Sequence, residues 1–594
     1  RTDDYGTEIS LNQRQRDAFQ KLVSSGPLSL LQGPPGTGKT EFIAAFVHYL
    51  IEKQGAQKIL LVSQSHEAVN TAAERIRKHC SRLKTPIDVV RFSNREKAVS
   101  DGLKDAYSNS IITEKREMFK AEAKYRIAAM SSELGIQKQY LELLVEAELK
   151  LFSKIDQYLL LQLDIESQKL EKEEKSELKK YLGELEVTIK DVLDNKFAIS
   201  IESDDFSSVK GLVVSSLNER FSINPSESKR ALALTKLARD KLRVLETDRV
   251  NYDEFLARSR HLVTGTCVGI GQNHIGIHEN QYDWVIIDEA ARSISSELAI
   301  AMQSGKRVLL VGDHQQLPPL YSDAHKKALA QELGIPGNKE HFDEVLRSDF
   351  ARAFESSYGS QTGARLLTQY RMAPPIGNIV SDVFYNSELE NGDRNIPEIY
   401  HLAPKCISKT VTWLDTSNLG KGAYHNSDRG VSIYNRSEAD AIIKLLKEIS
   451  QESDFVEALS KSVKPDEAPI GVICMYGEQK RILRRKFGEE SWTDAFKCLV
   501  KIDTVDSYQG KENRIILLSI TRSDRDQSTG FLRTPNRINV ALSRAMDRLI
   551  VVGDKRMWSG RNAKLPLGEV LSKIEADNED SQVFDVKALQ GVRR

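Results

Sequence analysis

Residues 30–42 read LLQGPPGTGKTEF, three glycines and two prolines in one bend that ends in Lys39 and Thr40. The apolar run 28–31 enters this bend, and a helix-like stretch rich in Ala and Phe, 41–50, leaves it. The bend therefore joins a strand to a helix, the setting that the pattern G-x-x-x-x-G-K-[ST] requires. Without Cβ atoms, Gly33, Gly36 and Gly38 let the backbone curl until successive N–H groups point inward, and the helix N-terminus adds its partial positive charge. The cradle formed with Pro34, Pro35 and Thr37 suits a polyphosphate. Lys39 is expected to reach the β and γ phosphates of a nucleoside triphosphate, and the Thr40 hydroxyl to take a position on Mg²⁺.

The chain has 594 residues, 40% hydrophobic and 29% charged, which reads as several soluble globular domains. Lys+Arg and Asp+Glu balance at 85 each, which argues against a large nonspecific basic patch but not against a local basic groove. Five cysteines stand far apart without a C-x-x-C pair. This spacing disfavours zinc modules, iron–sulfur clusters and a disulfide framework, and fits a reducing compartment. No apolar run approaches membrane-spanning length, so no membrane partner is expected, and an intracellular location, cytoplasmic or nuclear, is the default. The chain begins at Arg1 rather than Met; upstream domains are left open.

From residue 11 to about 92, strand-like apolar runs alternate with helical stretches, the signature of a parallel α/β sheet. The alternation returns at 261–375, where VIID and VLLVGD read as near-continuous apolar strands buried on both faces. Between these blocks no proline occurs from residue 87 to 224, and Leu141, Val145, Leu149, Phe152, Ile155, Leu159 and Leu163 recur at helical spacing. Residues 95–260 thus read as a helical insertion projecting long antiparallel helices. With helices of roughly 60 residues it reaches about 90 Å at 1.5 Å per residue. Its apolar stripe reads as the seam between those helices, and the charged run EKEEKSELKK at 171–180 as a solvated face. A second α/β series follows residue 376, with IGVICMY, CLVKIDTV, RIILLSIT and RLIVVGD as strands and no phosphate loop of its own. One nucleotide gripped from both sides is the simplest reading. The domain boundaries read as 1–94 and 261–375 for the first α/β domain, 376–560 for the second, and 561–594 for a C-terminal tail.

The strand WVIID ends in Asp288 and Glu289, two carboxylates at the edge where parallel sheets assemble ligands. Asp288 is suited to hold Mg²⁺, and Glu289 to orient and deprotonate an attacking water. A further strand, VLLVGDHQQLPP, ends in Asp313 and presents Gln316, a neutral amide fit to sense a γ-phosphate. Hydrolysis also needs positive charge opposite Lys39, and Arg371 in QYRMAPP and Arg544 in NVALSRA are the candidates.

LNQRQRDAF, GPPGTGKT, VIIDEAA, VGDHQQLPP, LLTQYRMAPPIGNIVSDVFYNSELENG, IDTVDSYQGKENRIILLS and RINVALSRAMDRLIVVGD follow in the order and spacing of superfamily 1 helicases. The chain most resembles the up-frameshift and senataxin branch, superfamily 1B, over residues 10–95 and 260–555. The resemblance implies an α/β fold of two RecA-like parallel-sheet domains, a long helical insertion in the first, and hydrolysis of ATP with Mg²⁺. It implies 5′ to 3′ movement on a single strand of DNA or RNA. It makes Gln15 the adenine reader and Tyr370 an adenine-stacking partner, gives Gln316, Arg371 and Arg544 γ-phosphate contacts, and places phosphate and ribose contacts at Gly510 and Glu512. Strand-gripping positions fall at Ser63, Ser65, His66, Thr266, Thr504 and Ser507, where small hydroxyls and backbone amides hold phosphate and sugar without reading sequence.

The insertion is long for this family, and a protein partner docking on it is one expectation. The branch's zinc-binding N-terminal module is not present in this sequence. Two other functions stay open: a motor module of a larger nuclease or antiviral machine, and a nucleotide-switched scaffold. Intact Glu289, Arg371 and Arg544 speak against the scaffold.

Overall fold

The computed structural model describes residues 11–589 except 132, 167–171, 202–205, 247–250, 333, 335–345, 429–431, 465–466 and 509. The chain packs as two compact units, one formed by Arg1–Lys104 with Leu256–Arg594 and the other by Asp105–Phe255. Packing thus divides the chain at 105 and 255, not at 95 and 260, because residues 96–106 form short 3₁₀ turns before the first long helix.

The larger unit holds two parallel sheets. The first contains β1 (Leu28–Gln32), β2 (Ile59–Ser63), β3 (Val89–Arg91), β4 (Leu262–Thr266), β5 (Tyr282–Asp288), β6 (Gly305–Gly312) and β7 (Gly363–Arg365) in the order β3-β4-β2-β5-β6-β1-β7. All its pairings are parallel. The insertion enters after β3 and returns at β4, its neighbour in the sheet. Every residue of β2 is buried, which is why these strands are continuous Ile, Leu and Val runs rather than alternating ones. Parallel strands put all their carboxyl ends on one edge. That edge carries the ends of β1, β5 and β6, three adjacent strands, and with them the phosphate loop, the Asp288–Glu289 pair and Asp313.

The second sheet contains β8 (Val411–Asp415), β9 (Ile470–Cys474), β10 (Val500–Thr504), β11 (Asn513–Ser519), β12 (Ala545–Gly553) and β13 (Ser581–Asp585) in the order β10-β9-β11-β12-β8-β13, again all parallel. The expected tail at 561–594 is corrected here. Helix Pro566–Ala576 buries Leu567, Val570, Leu571 and Ile574 in the core that holds Trp413 and Trp558, and β13 pairs with β8. Proline in the first turn starts that helix, and four buried aliphatic side chains contribute roughly 1.5–3 kcal/mol each. No helix among the described residues is long and apolar enough to cross a membrane.

Among its described residues the smaller unit is helical, with Ser108–Ala129, Lys138–Ala147, Ser153–Glu166, Lys172–Val192, Val209–Arg220 and Pro225–Glu246. The expectation of helices near 60 residues is corrected: the longest α-helices among its described residues have 22. One helical run ends at Ala198, which takes a left-handed conformation, the usual way a helix is stopped. A π-turn at Leu193–Phe197 closes that run, and another at Glu148–Phe152 interrupts the run from Lys138 to Glu166. Of the apolar stripe, Leu141, Val145, Phe152 and Ile155 are buried in the unit's own core, Leu149 and Leu159 pack against it, and Leu163 is exposed. In the charged run, residue 171 and the side chains of 172–177 and 180 lie outside the described residues.

Candidate active site

The phosphate loop folds as its composition requires. Gly36 and Gly38 have φ of 74° and 78°, the left-handed region that side chains resist. A Cβ on Gly36 would also lie 2.5 Å from the Arg371 Cβ, so this glycine lets two segments of the site meet. Thr37 Oγ1 donates to Pro34 O at 2.8 Å. Lys39 opens the helix α2 (Lys39–Gln54), and its Nζ donates to Gly33 O at 2.7 Å, so the ammonium lies folded along the loop it serves.

A cavity of about 350 Å³ opens over this loop. Pro34 to Glu41 line one side; Glu289, Gln316, Tyr370 and Arg371 line another, and Gly510, Glu512 and Arg544 from the second α/β series complete it. A smaller cavity of about 120 Å³ adjoins it, where Thr40 faces Asp288 and Glu289. The carboxylates at the end of β5, the amide after β6 and two arginines from distant sequence thus converge on the bend.

Asp288 is 5% exposed. Burial, and then the neighbouring Glu289, push its carboxyl up to about 7 against the pull of Lys39. A carboxylate with so little water calls for a cation, and with the Thr40 hydroxyl Asp288 makes an oxygen donor pair that fits a hard divalent ion such as Mg²⁺, with Glu289 alongside. Glu289 follows at φ 56°, a left-handed turn that carries its carboxyl away from the strand direction at a cost of roughly 1–2 kcal/mol.

Gln316 donates from Nε2 to Asp313 Oδ2 at 2.7 Å and accepts from Arg544 Nη2 at 3.3 Å. Arg544 is 2% exposed; burial first, and Arg371 second, bring its pKa down to about 9. It also donates to Val540 O at 3.0 Å and Lys511 O at 3.2 Å. Arg371 pairs with the Glu512 carboxylate and donates to Ser543 O at 3.4 Å.

On the outer side of the loop, Gln15 stands at the third position of α1 (Gln13–Ser24), in a capping box with Asn12, the reciprocal arrangement that satisfies two helix-end donors. Its Nε2 reaches Thr37 O at 3.3 Å. Tyr370 is half-exposed, takes a hydrogen bond from Asn12 Nδ2 at 2.8 Å, and lies against Gly392. Gln15 and Tyr370 line a further cavity of about 810 Å³ with Gly36 and Gly38.

The expected strand contacts divide. Ser65 follows β2 and Thr266 ends β4, and both cap helices: Ser65 Oγ accepts from Ala68 N and Thr266 Oγ1 from Gly269 N, both at 3.1 Å. His66 Nδ1 lies 3.0 Å from Arg91 Nη2, and burial, then Arg91 and Arg95, lower its pKa, so it is a neutral ring rather than a cation. Thr504 and Ser507 share a hydrogen bond at 3.2 Å at the end of β10, with Ser507 exposed. Ser63 is corrected: it is fully buried, paired in register with both Asp288 and Thr266, and its Oγ has no hydrogen-bond partner. As the last residue of a strand flanked on both sides, it belongs to the carboxylate edge and not to the surface.

Asn12 holds Gln15 and Tyr370, and Asp313, Tyr385 and Asn539 form a separate polar cluster around Gln316. The pair N-x-x-Q before a helix signals Asn12; Tyr385 sits in an apolar run and gives no such signal.

Two family models, each described as an AAA domain, match residues 10–323 and 345–556. The chain is 27% identical over 558 residues to Regulator of nonsense transcripts 1 homolog of Neurospora crassa, covering 92% of this chain and 37% of that protein. It is 26% identical over 565 residues to Helicase sen1 of Schizosaccharomyces pombe, covering 92% and 29%. To ATP-dependent helicase upf1 of the same yeast it is 26% identical over 555 residues, covering 92% and 45%. The chain thus spans less than half the length of each of these relatives. It belongs to the AAA-domain family, within the up-frameshift and senataxin branch of the superfamily 1 helicases.

Proposed function

We propose that this chain is an ATP-hydrolysing motor that moves 5′ to 3′ along single-stranded DNA or RNA. The observation that carries the reading is the 350 Å³ cavity in which the phosphate loop meets Glu289, Gln316, Arg371 and Arg544. Lys39 and the loop amides bind the β and γ phosphates, with Gly510 and Glu512 at phosphate and ribose and Tyr370 stacked on the adenine that Gln15 reads. Thr40 and Asp288 would hold Mg²⁺, which when bound neutralises developing phosphate charge. Glu289 orients the attacking water and takes its proton. Gln316 contacts the γ-phosphate, while Arg371 and Arg544 stabilise the charge that spreads over its oxygens.

Ser65, His66, Thr266, Thr504 and Ser507 form the strand-gripping set; their placement at strand ends of the two sheets supports it. The helical unit, with a core of its own, is read as a wedge or a partner-docking lever rather than as part of the hydrolytic machinery. The test is steady-state ATP turnover with and without oligo-dT and oligo-U, followed by unwinding of duplexes with 5′ or 3′ overhangs. Strand-stimulated turnover with unwinding from the 5′ overhang is the expected result. No stimulation by either strand refutes the motor reading, and unwinding from the 3′ overhang alone refutes the direction.

A further inference from the structure

Tyr385 follows the helix Pro374–Phe384 and is 5% exposed. Its hydroxyl donates to Asp313 Oδ2 at 2.7 Å and accepts from Asn539 Nδ2 at 2.8 Å. The same Asp313 oxygen accepts from Gln316 Nε2 at 2.7 Å, and Asn539 Nδ2 also donates to Gln315 O at 2.8 Å. The Asn539 amide cannot be flipped, because its oxygen would then face the Gln315 carbonyl. Every proton direction follows: Asn539 to Tyr385, Tyr385 to Asp313, Gln316 to Asp313. With its N–H occupied, Gln316 presents its oxygen to Arg544 at 3.3 Å.

Asn539 lies in helix Pro535–Leu542, and Arg544 stands two residues beyond that helix. The hydrogen bonds therefore close a ring that leaves the helix at Asn539 and returns to it at Arg544. The other side of the helix reaches the turn Val505–Tyr508, where Arg537 Nη2 lies 3.4 Å from Asp506 Oδ1, beside Ser507.

We propose that Tyr385 is a positioning residue that locks Gln316, through Asp313 and Asn539, to the helix joining the strand-facing turn to Arg544. Engagement of a strand at Thr504 and Ser507 is thereby transmitted to the γ-phosphate contacts as one rigid movement. The inference rests on the function proposed above and adds to it the residue that couples strand binding to hydrolysis. A phenol suits this place because it is the one side chain that fills an apolar pocket and both donates and accepts at its far end.

The test is Tyr385→Phe, which keeps the ring and removes the hydroxyl, read by ATP turnover with Mg²⁺ in the presence of oligo-dT or oligo-U and by the equilibrium dissociation constant for ATP. The expected result is a fall in kcat of between about tenfold and about a hundredfold, as misplaced reacting groups give, with ATP affinity within about twofold of wild type. Asn539→Ser should show the same split, and the double variant should lose no more than either alone, because both cut one ring. Wild-type kcat in both variants, an equal loss of ATP affinity, or multiplied losses in the double variant would overturn the proposal. If Tyr385→Phe does not fold, the kcat and affinity of Asn539→Ser decide alone. Gln316→Ala separates the two levels: loss of turnover there with normal Tyr385→Phe removes only the positioning role, whereas normal turnover in Gln316→Ala removes the γ-phosphate contact and this inference with it.

Discussion

The guanidinium of Arg544, the residue before β12 of the second sheet, lies 3.3 Å from the amide oxygen of Gln316, which follows β6 in the first. A buried cation is costly to desolvate. Here Val540 O and Lys511 O accept two of its hydrogen bonds, and Glu289 and Glu512 favour its charge. Such a residue is kept where its charge is needed. Arg544→Ala is expected to lower ATP turnover by about three orders of magnitude, the scale of an arginine finger supplied in cis, with the circular dichroism spectrum unchanged. Near-normal turnover would leave Arg371 as the only finger.

Lys39 and Glu289 should fail differently. Lys39→Ala removes the proposed phosphate contact and should weaken ATP binding, whereas Glu289→Gln keeps the shape of the site and should bind ATP but lose turnover, because an amide takes no proton. Equilibrium binding of a fluorescent ATP analogue separates the two, and equal loss of affinity in both would contradict the assignment.

Gly392 lies outside the phosphate loop, yet a Cβ there would collide with the Tyr370 ring at Cε1 and Cδ1. Gly392→Ala should therefore tilt the ring proposed to stack on adenine and raise the KM for ATP several-fold, base stacking being worth about 1–3 kcal/mol, with kcat nearly unchanged. A matching Tyr370→Ala variant should raise KM at least as far; an unaltered KM in both would remove Tyr370 from the base site.

The helical unit Asp105–Phe255 has its own apolar core of Tyr140, Leu141, Leu144, Phe206 and their neighbours. Replacing residues 111–255 by a short Gly/Ser linker is expected to keep ATP turnover in the absence of strand within a few-fold of the intact chain, as such a linker is flexible and closes at modest entropic cost, while unwinding or partner capture fails. A folded deletion without turnover would place the unit in the catalytic core.

Glu438 should make stability depend on pH. It is fully buried at the start of helix Arg436–Gln451 and accepts from Ser519 Oγ and Thr521 N at 2.7 Å each. Burial raises its carboxyl from 4.5 to about 8, the two hydrogen bonds oppose the rise, and Asp554 adds to it. Between those values the folded chain holds a proton that the unfolded chain has lost, so this contribution is full below 4.5, falls as pH rises, and is gone above about 8. Denaturant midpoints at about pH 6 and about pH 9 should show wild type losing stability relative to Glu438→Gln. A constant difference between the two proteins would mean that the carboxyl titrates normally.

Local chemistry made much of this protein legible. A bend of glycines followed by Lys39 and Thr40 has one economical use, and continuous apolar strands ending in Asp288 or Asp313 announce a parallel sheet with its polar edge at the carboxyl ends. Both depend on residues close in the chain, and both sheets follow. Helix lengths in the insertion were not legible, because π-turns and the left-handed Ala198 break a helix without any proline to mark the break. Nor was the extent of the second sheet, since β13 is a five-residue edge strand whose pairing depends on a partner some 170 positions earlier.

In the site, residue types were readable one at a time, but their partners were not. Ser63 reads like Ser65, and only the two flanking strands bury the first and leave the second at a helix start. Tyr385, Asp313 and Asn539 lie 72 and 154 positions apart along the chain, and no periodicity links them. A hydrogen bond needs its donor within about 3 Å of its acceptor, and for groups so distant in sequence that proximity is decided by how the two sheets and their connecting helices pack.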